Sequence, residues 1–119
     1  MSETTNSMAG ASPEAIKAHY DLSDEFFRLF IGPEMVYSCA LFEGDDDLAS
    51  AQRLKLDHHI AAAGAYGASR VLDIGCGWGA LQRRLVEQAG VQTAVGLTLS
   101  RSQSDWIQRT APTIVEVQE

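Results

Sequence analysis

The chain has 119 residues, of which 45% are hydrophobic and 21% charged, a composition typical of one small globular domain. Asp and Glu number 16 and Lys and Arg 9, so the formal net charge is −7, which disfavours nucleic acid and anionic membrane surfaces as partners. Two cysteines are too few for a disulfide framework, and no apolar run is long enough for integral membrane association, so we expect a cytoplasmic protein.

The first 67 residues predict a tail followed by helices. Residues 1–11 lack the charged and apolar regions of a secretory signal, and we expect them to form a flexible tail. Hydroxyl residues that can cap free amides mark the first two helix starts, an apolar helical period indicates the third helix, and glycines mark two of the ends. The predicted helices run from Ser12 to about Tyr20, from Ser23 to Gly32, and from Asp47 to about Ala63. We therefore interpret residues 12–67 as a helical cap.

From residue 68 onward, short β-branched and leucine runs alternate with helical patterns. Ser100, with Gln103 three residues later, predicts a capping box at the start of the last helix. The predicted strands are Arg70 to Ile74, Thr93 to Thr98 and Thr113 to Val117, with a helix after each of the first two. This β-α-β-α-β order predicts an α/β fold with a doubly wound parallel sheet, of which residues 68–119 form the first half.

The turn after the first predicted strand, Asp73 to Gly79, contains three alternate glycines. Glycine lets the backbone bend tightly and lie against a ligand without a Cβ in the way, and the amides at the following helix start attract negative charge. A tight turn without a ligand is the alternative, but each glycine costs about 1 kcal/mol in regular structure. We therefore predict a ligand site at this turn.

Two ligand classes fit such a turn. The spacing Gly75-x-Gly77-x-x-Ala80 satisfies a dinucleotide pattern, but that pattern expects a carboxylate about 20 residues further on, where Leu97 to Ser100 has none. The turn also has an acid, Asp73, two residues before its first glycine. In this it resembles the turn of class I methyltransferases, which bind S-adenosylmethionine.

Five stretches, one of which contains this turn, together resemble the family of cyclopropane fatty acid synthases and mycolic acid methyltransferases. They occur in the family's order and approximate spacing, and the resemblance runs from about Pro13 to about Ile107. The stretches are HYDLSDEFF from His19, YSCALFE from Tyr37, AQRLKLD from Ala51, VLDIGCGWG from Val71 and GLTLSRSQ from Gly96. The resemblance implies a Rossmann-like class I methyltransferase fold with S-adenosylmethionine as cofactor.

The resemblance also implies a set of site residues, carried over position by position. Tyr37, Ser38 and Asp73 would lie toward the methionine part of the cofactor, Gly75 and Gly77 would give close backbone contact, and Thr98, Leu99 and Gln103 would flank the ribose and adenine. The backbone of Cys39 corresponds to a position that helps to hold a bicarbonate ion used as a base. No metal site is predicted.

The activity expected from the resemblance is methyl transfer to carbon of an apolar acceptor, such as an alkene, a fatty acyl chain or a small natural product. Family members are considerably longer, so we expect these 119 residues to be the N-terminal portion of such an enzyme and inactive alone. Homo-oligomerisation stays open. The alternatives are a cofactor-binding module without catalysis and, from the dinucleotide pattern, a nicotinamide-dependent oxidoreductase.

Overall fold

A computed structural model describes residues 12–20, 23–44, 47–111 and 115–118 of the protein. The predicted tail at residues 1–11 lies outside the described residues. In chain order the elements are α1 (Pro13–Tyr20), α2 (Asp24–Ile31), α3 (Leu48–Ala62), β1 (Arg70–Ile74), α4 (Ala80–Gln88), β2 (Thr93–Leu97), α5 (Arg101–Thr110) and β3 (Val115–Gln118). The predicted order of helices and strands is confirmed, and the predicted start of the last strand at residues 113–114 lies outside the described residues.

Side-chain caps explain where two of the first helices begin. The Ser12 hydroxyl accepts a hydrogen bond from the amide of Ala15 at 3.1 Å, and the Asp47 carboxylate accepts one from the amide of Ser50 at 2.7 Å. Both bonds satisfy amides that have no partner within the helix. Ser23, the predicted cap of α2, makes no side-chain hydrogen bond to the helix, so that helix begins without this stabilisation.

The three strands form a parallel sheet in the order β1-β2-β3. Asp73 at the end of β1 is opposite Gly96, and Ile74 is opposite Leu97 at the end of β2. The two strands therefore end at the same level, which brings the turn after β1 beside the segment after β2. Such an edge, at the carboxyl ends of parallel strands, is where ligands bind in this class of sheet.

Of the three buried clusters among the described residues, two join the first helices to the sheet and to the turn. The first lies between α3, α4 and β2, and its buried members are Ile60, Ala65, Leu85, Ala89, Val91 and Ala94. The second lies between α2 and the turn after β1, and consists of Phe27, Ile31, Met35 and Trp78, with Trp106 packed against it. The second cluster packs α2 and the segment after it against the glycine turn.

The side chains of β1 alternate between two environments, as strand geometry requires. Val71 packs against the first cluster, whereas Leu72 and Ile74 are 56% and 77% exposed. Within the described part of the chain, one face of β1 therefore leaves two large apolar side chains at the surface.

Candidate functional site

The turn between β1 and α4 is held in a conformation that favours glycine. Gly75, Gly77 and Gly79 have φ of 75°, 57° and 82°, in the left-handed region. The amides of Gly75 and Cys76 both donate to the carbonyl of Leu97, at 3.0 and 2.9 Å. These two bonds fix the turn against the end of β2.

The three glycines differ in what surrounds them. A Cβ on Gly79 would lie 2.9 Å from Cγ1 of Ile107, so this glycine is needed for the packing of α5 against the turn. A Cβ on Gly75 or Gly77 would meet no atom of the described residues within 4 Å. Close packing therefore explains Gly79 but not Gly75 and Gly77, which leave open space above the main chain.

Gly96 in the middle of β2 is a second packing glycine, and the sequence analysis did not single it out. A Cβ there would lie 2.7 Å from the sulfur of Cys76 and would also collide with the Gln82 amide. Its neighbours come from the turn and from α4, so no local pattern around Gly96 indicates this requirement.

A cavity of about 430 Å³ lies over the turn. Its walls come from the segment before α3, from α3 itself, from the turn and from the segment after β2. All the predicted cofactor-binding residues line it: Tyr37, Ser38, Asp73, Gly75, Gly77, Thr98, Leu99 and Gln103. The fold thus brings together residues that are as far apart as Tyr37 and Gln103. Cys39, the predicted bicarbonate position, is exposed and is not among the lining residues.

A buried hydrogen-bond network orders the segment after β2. The amide of Gln103 donates to the Ser100 hydroxyl at 3.2 Å, which is the backbone half of the predicted capping box. The other half is different, because Thr98 Oγ1 donates to Gln103 Oε1 at 2.6 Å and itself accepts from the Ser100 amide at 3.0 Å. Thr98 replaces the expected reciprocal bond and orients the Gln103 side chain beside the cavity.

Aromatic rings of α2 pack around Tyr37 and Trp78, which line the cavity. The Phe27 ring centroid lies 4.8 Å from that of Trp78 and 5.4 Å from that of Tyr37. Tyr37 and Phe30 meet edge to face at 5.7 Å. Offset and edge contacts of this kind hold ring orientations beyond simple burial.

Asp24, in the first turn of α2, connects the helical region to the site. Its Oδ1 accepts hydrogen bonds from Trp78 Nε1 at 3.0 Å and from the Ser102 hydroxyl at 2.7 Å, and Arg109 lies 3.5 Å from Oδ2. In the sequence, Asp24 is simply one residue of the helix predicted from Ser23 to Gly32. The partners of Asp24 are more than 50 residues away in the chain, so no local signal could reveal them.

Two side chains of α3 hold Ser38 at the cavity. Gln52 Nε2 donates to the Ser38 carbonyl at 2.8 Å, and Lys55 Nζ donates to the Ser38 hydroxyl at 2.5 Å. Lys55 and His59 also line the cavity. The sequence analysis quoted Lys55 within a motif without giving it a role.

Burial shifts the protonation of two groups at the turn. It raises the pKa of the Asp73 carboxyl above its ordinary value, because the charged form loses hydration. Burial and the neighbouring Asp73 charge raise the pKa of the Cys76 thiol to about 12. Cys76 is therefore a protonated, buried side chain at neutral pH, and it is not a nucleophile there.

Comparison with known proteins identifies the relatives of this chain. The family described as mycolic acid cyclopropane synthetase matches residues 9–117. Cyclopropane mycolic acid synthase 1 of Mycobacterium tuberculosis is 50% identical over 95 residues, which are 79% of this chain and 33% of that protein. The chain thus spans about a third of the length of this relative.

Two solved structures share the architecture. The mycolic acid cyclopropane synthase CmaA1 complexed with SAH and CTAB superposes with a TM-score of 0.77 at 43% identity, covering 89% of this chain and 39% of that chain. Coclaurine N-methyltransferase bound to N-methylheliamine and SAH gives a TM-score of 0.81 at 27% identity, covering 92% of this chain and 33% of that chain. Both therefore contain SAH, S-adenosylhomocysteine. No helix in the described ranges of this chain has the length and apolar character needed to cross a membrane.

Proposed function

The chain belongs to the mycolic acid cyclopropane synthetase family, and on this premise we propose that it forms the S-adenosylmethionine-binding part of a methyltransferase. The observation that carries the proposal is the open space above Gly75 and Gly77. Their left-handed backbone leaves a surface without side chains, and none of the described residues fills the space above it. The cavity of about 430 Å³ is in the range of small-molecule sites.

The residues around the cavity fit S-adenosylmethionine by their chemistry. Thr98 and Gln103 offer oriented oxygen and amide groups for a ribose or adenine edge. Asp73 and Ser38 offer polar groups toward the opposite end, and the Tyr37 ring offers an aromatic face that favours positive charge. When bound, the cofactor supplies a methyl group on a positively charged sulfur.

For the acceptor, we propose an apolar molecule methylated on carbon. The outer side of α2 supports this choice, since Phe26, Leu29 and Phe30 are 52%, 85% and 50% exposed. The relative CmaA1 was crystallised with CTAB as well as SAH, which also favours an apolar ligand. An amine acceptor is the second candidate, because the similar coclaurine enzyme is an N-methyltransferase.

We further propose that residues 12–67 act as a cap over the acceptor and that these 119 residues alone do not turn over. The cap is supported by Tyr37 and Ser38 at the cavity and by the bonds of Asp24 to the turn. The exposed Leu72 and Ile74 support the second point, since a stable enzyme would cover such a surface. The bicarbonate predicted at Cys39 gains no support from the position of that residue.

The function is tested with the full-length protein. Isothermal titration with S-adenosylmethionine, S-adenosylhomocysteine and NAD measures the cofactor class, and we expect binding of the first two and no detectable binding of NAD. Incubation with methyl-labelled S-adenosylmethionine and unsaturated lipids or amines then measures transfer. Binding of NAD in place of the adenosyl ligands would refute the proposal. Donor binding without transfer to any acceptor would favour the non-catalytic module.

A further inference from the structure

Lys55 presents a positive charge to the cavity that no carboxylate of the described residues neutralises. Its Nζ donates to the hydroxyl of Ser38 at 2.5 Å and to the carbonyl of Ser38 at 3.5 Å. Among the described residues, the ion pairs of 4.0 Å or less involve arginines and not Lys55. Burial lowers the pKa of the Lys55 ammonium, as expected for a partly desolvated cation, although the neighbouring Cys39 acts in the opposite direction.

Holding Ser38 in place does not by itself explain this lysine. Gln52 already donates to the Ser38 carbonyl at 2.8 Å and reaches the Val36 carbonyl at 3.4 Å. The loop before α3 is therefore anchored by a neutral side chain of the same helix. The Lys55 ammonium adds a hydroxyl contact at 2.5 Å and a carbonyl contact at 3.5 Å to a loop that is already anchored, and ordering its long side chain has an entropic cost.

The described residues that line the cavity include an ammonium side chain, Lys55, and a carboxyl side chain, Asp73. A ligand whose end carries both an ammonium and a carboxylate, as an α-amino acid does, would satisfy both groups. The Ser38 hydroxyl beside Lys55 adds a second donor suited to a carboxylate oxygen.

We propose that Lys55, together with Ser38, binds the α-carboxylate of the amino-acid end of the methyl donor and selects donors that carry it. This inference rests on the proposed function, because it assigns a specificity-determining residue within the same site. Lys55 belongs to α3, so the helical region takes part in donor recognition as well as covering the acceptor.

The test compares three ligands that differ at this end. S-adenosylmethionine has the ammonium and the carboxylate, its decarboxylated form lacks the carboxylate, and 5′-methylthioadenosine lacks the whole amino-acid end. Their Kd values are measured by titration calorimetry on the full-length protein and on Lys55→Met, Lys55→Arg and Arg28→Gln. Arg28 is exposed and does not line the cavity, so its substitution controls for the loss of one positive charge.

We expect Lys55→Met to weaken S-adenosylmethionine at least tenfold while 5′-methylthioadenosine and the decarboxylated donor change by less than twofold. Lys55→Arg should retain most of the affinity, and Arg28→Gln should match the wild type. The wild type should also prefer the intact donor over the decarboxylated one, which tests the inference even if a variant fails to fold.

Other results would overturn the inference in distinguishable ways. Equal weakening of all three ligands by Lys55→Met would mean that Lys55 supports the cavity without recognising the carboxylate. Unchanged donor affinity in Lys55→Met, or a wild type that does not distinguish the decarboxylated donor, would remove the role of Lys55 and leave the proposed function standing. A wild type that binds none of the three ligands would refute the proposed function and this inference with it.

Discussion

Gly77→Ala tests the central physical argument, because it adds one methyl group to the open face of the turn. Gly77 has φ of 57°, where an L-residue is strained by about 1–2 kcal/mol. The added Cβ would have no atom of the described part of the chain within 4 Å, so no collision there adds to this strain. We therefore expect the free energy of unfolding to fall by about 1–2 kcal/mol and the fold to survive.

The effect on the cofactor should be larger than the effect on the fold. If S-adenosylmethionine rests on this stretch of main chain, the methyl group occupies space that the ligand needs. We expect affinity to fall at least tenfold, which corresponds to about 1.4 kcal/mol or more. Titration calorimetry with S-adenosylhomocysteine measures the affinity, and urea unfolding of the same full-length samples measures the stability.

Two other glycines provide matched controls. Gly64 has φ of 63°, and a Cβ there would have no atom of the described residues within 4 Å. Gly64 does not line the cavity, so Gly64→Ala should carry similar backbone strain and leave the affinity for S-adenosylhomocysteine unchanged. Gly79→Ala should destabilise the protein more than Gly77→Ala, because its Cβ would lie 2.9 Å from Ile107. A stable Gly77→Ala protein with wild-type affinity, or equal affinity loss in Gly64→Ala, would refute the reasoning.

Three further predictions concern charge, reactivity and one hydrogen bond. Burial raises the pKa of the Asp73 carboxyl, so ionisation of Asp73 destabilises the folded protein as the pH rises above the ordinary value of that pKa. Asp73→Asn should therefore unfold at a higher urea concentration than the parent at pH 7, and the gap between the two midpoints should shrink toward acid pH. The variant should also bind S-adenosylmethionine more weakly by calorimetry. A smaller gap at pH 7 than at pH 4 would contradict this. With a pKa of about 12, the buried Cys76 thiol should resist iodoacetamide at pH 8, while the exposed Cys39 is alkylated. Mass spectrometry of the digested protein measures both reactions. Modification of the two cysteines at equal rates would count against the buried turn. Trp78→Phe removes an indole N–H that donates to a carboxylate of α2, and should cost about 1.5–3 kcal/mol beyond the loss of ring area. Trp106→Phe should cost less, because its buried indole N–H has no hydrogen-bond partner among the described residues. Equal costs by urea unfolding would argue against a stabilising bond.

The order of elements and the place of the site could be predicted from the sequence because their signals are local. Helix caps act over three residues, as the bond from Ser12 to the Ala15 amide shows. Strand and helix patterns repeat every two and every three to four residues, and the alternation of the two patterns restricts the sheet to a parallel order. The glycine turn after β1 could likewise be recognised within seven consecutive residues.

The roles of individual side chains depend on contacts between elements that are far apart in the chain. Nothing local distinguishes Gly79, which packs against Ile107, from Gly77, which faces open space. The partnership of Asp24 with Trp78 and that of Lys55 with Ser38 arise only when helices pack over the turn. Hydrophobic patterns specify which face of a helix is buried, whereas the packing of whole elements decides which atoms meet, and that decision belongs to the tertiary structure.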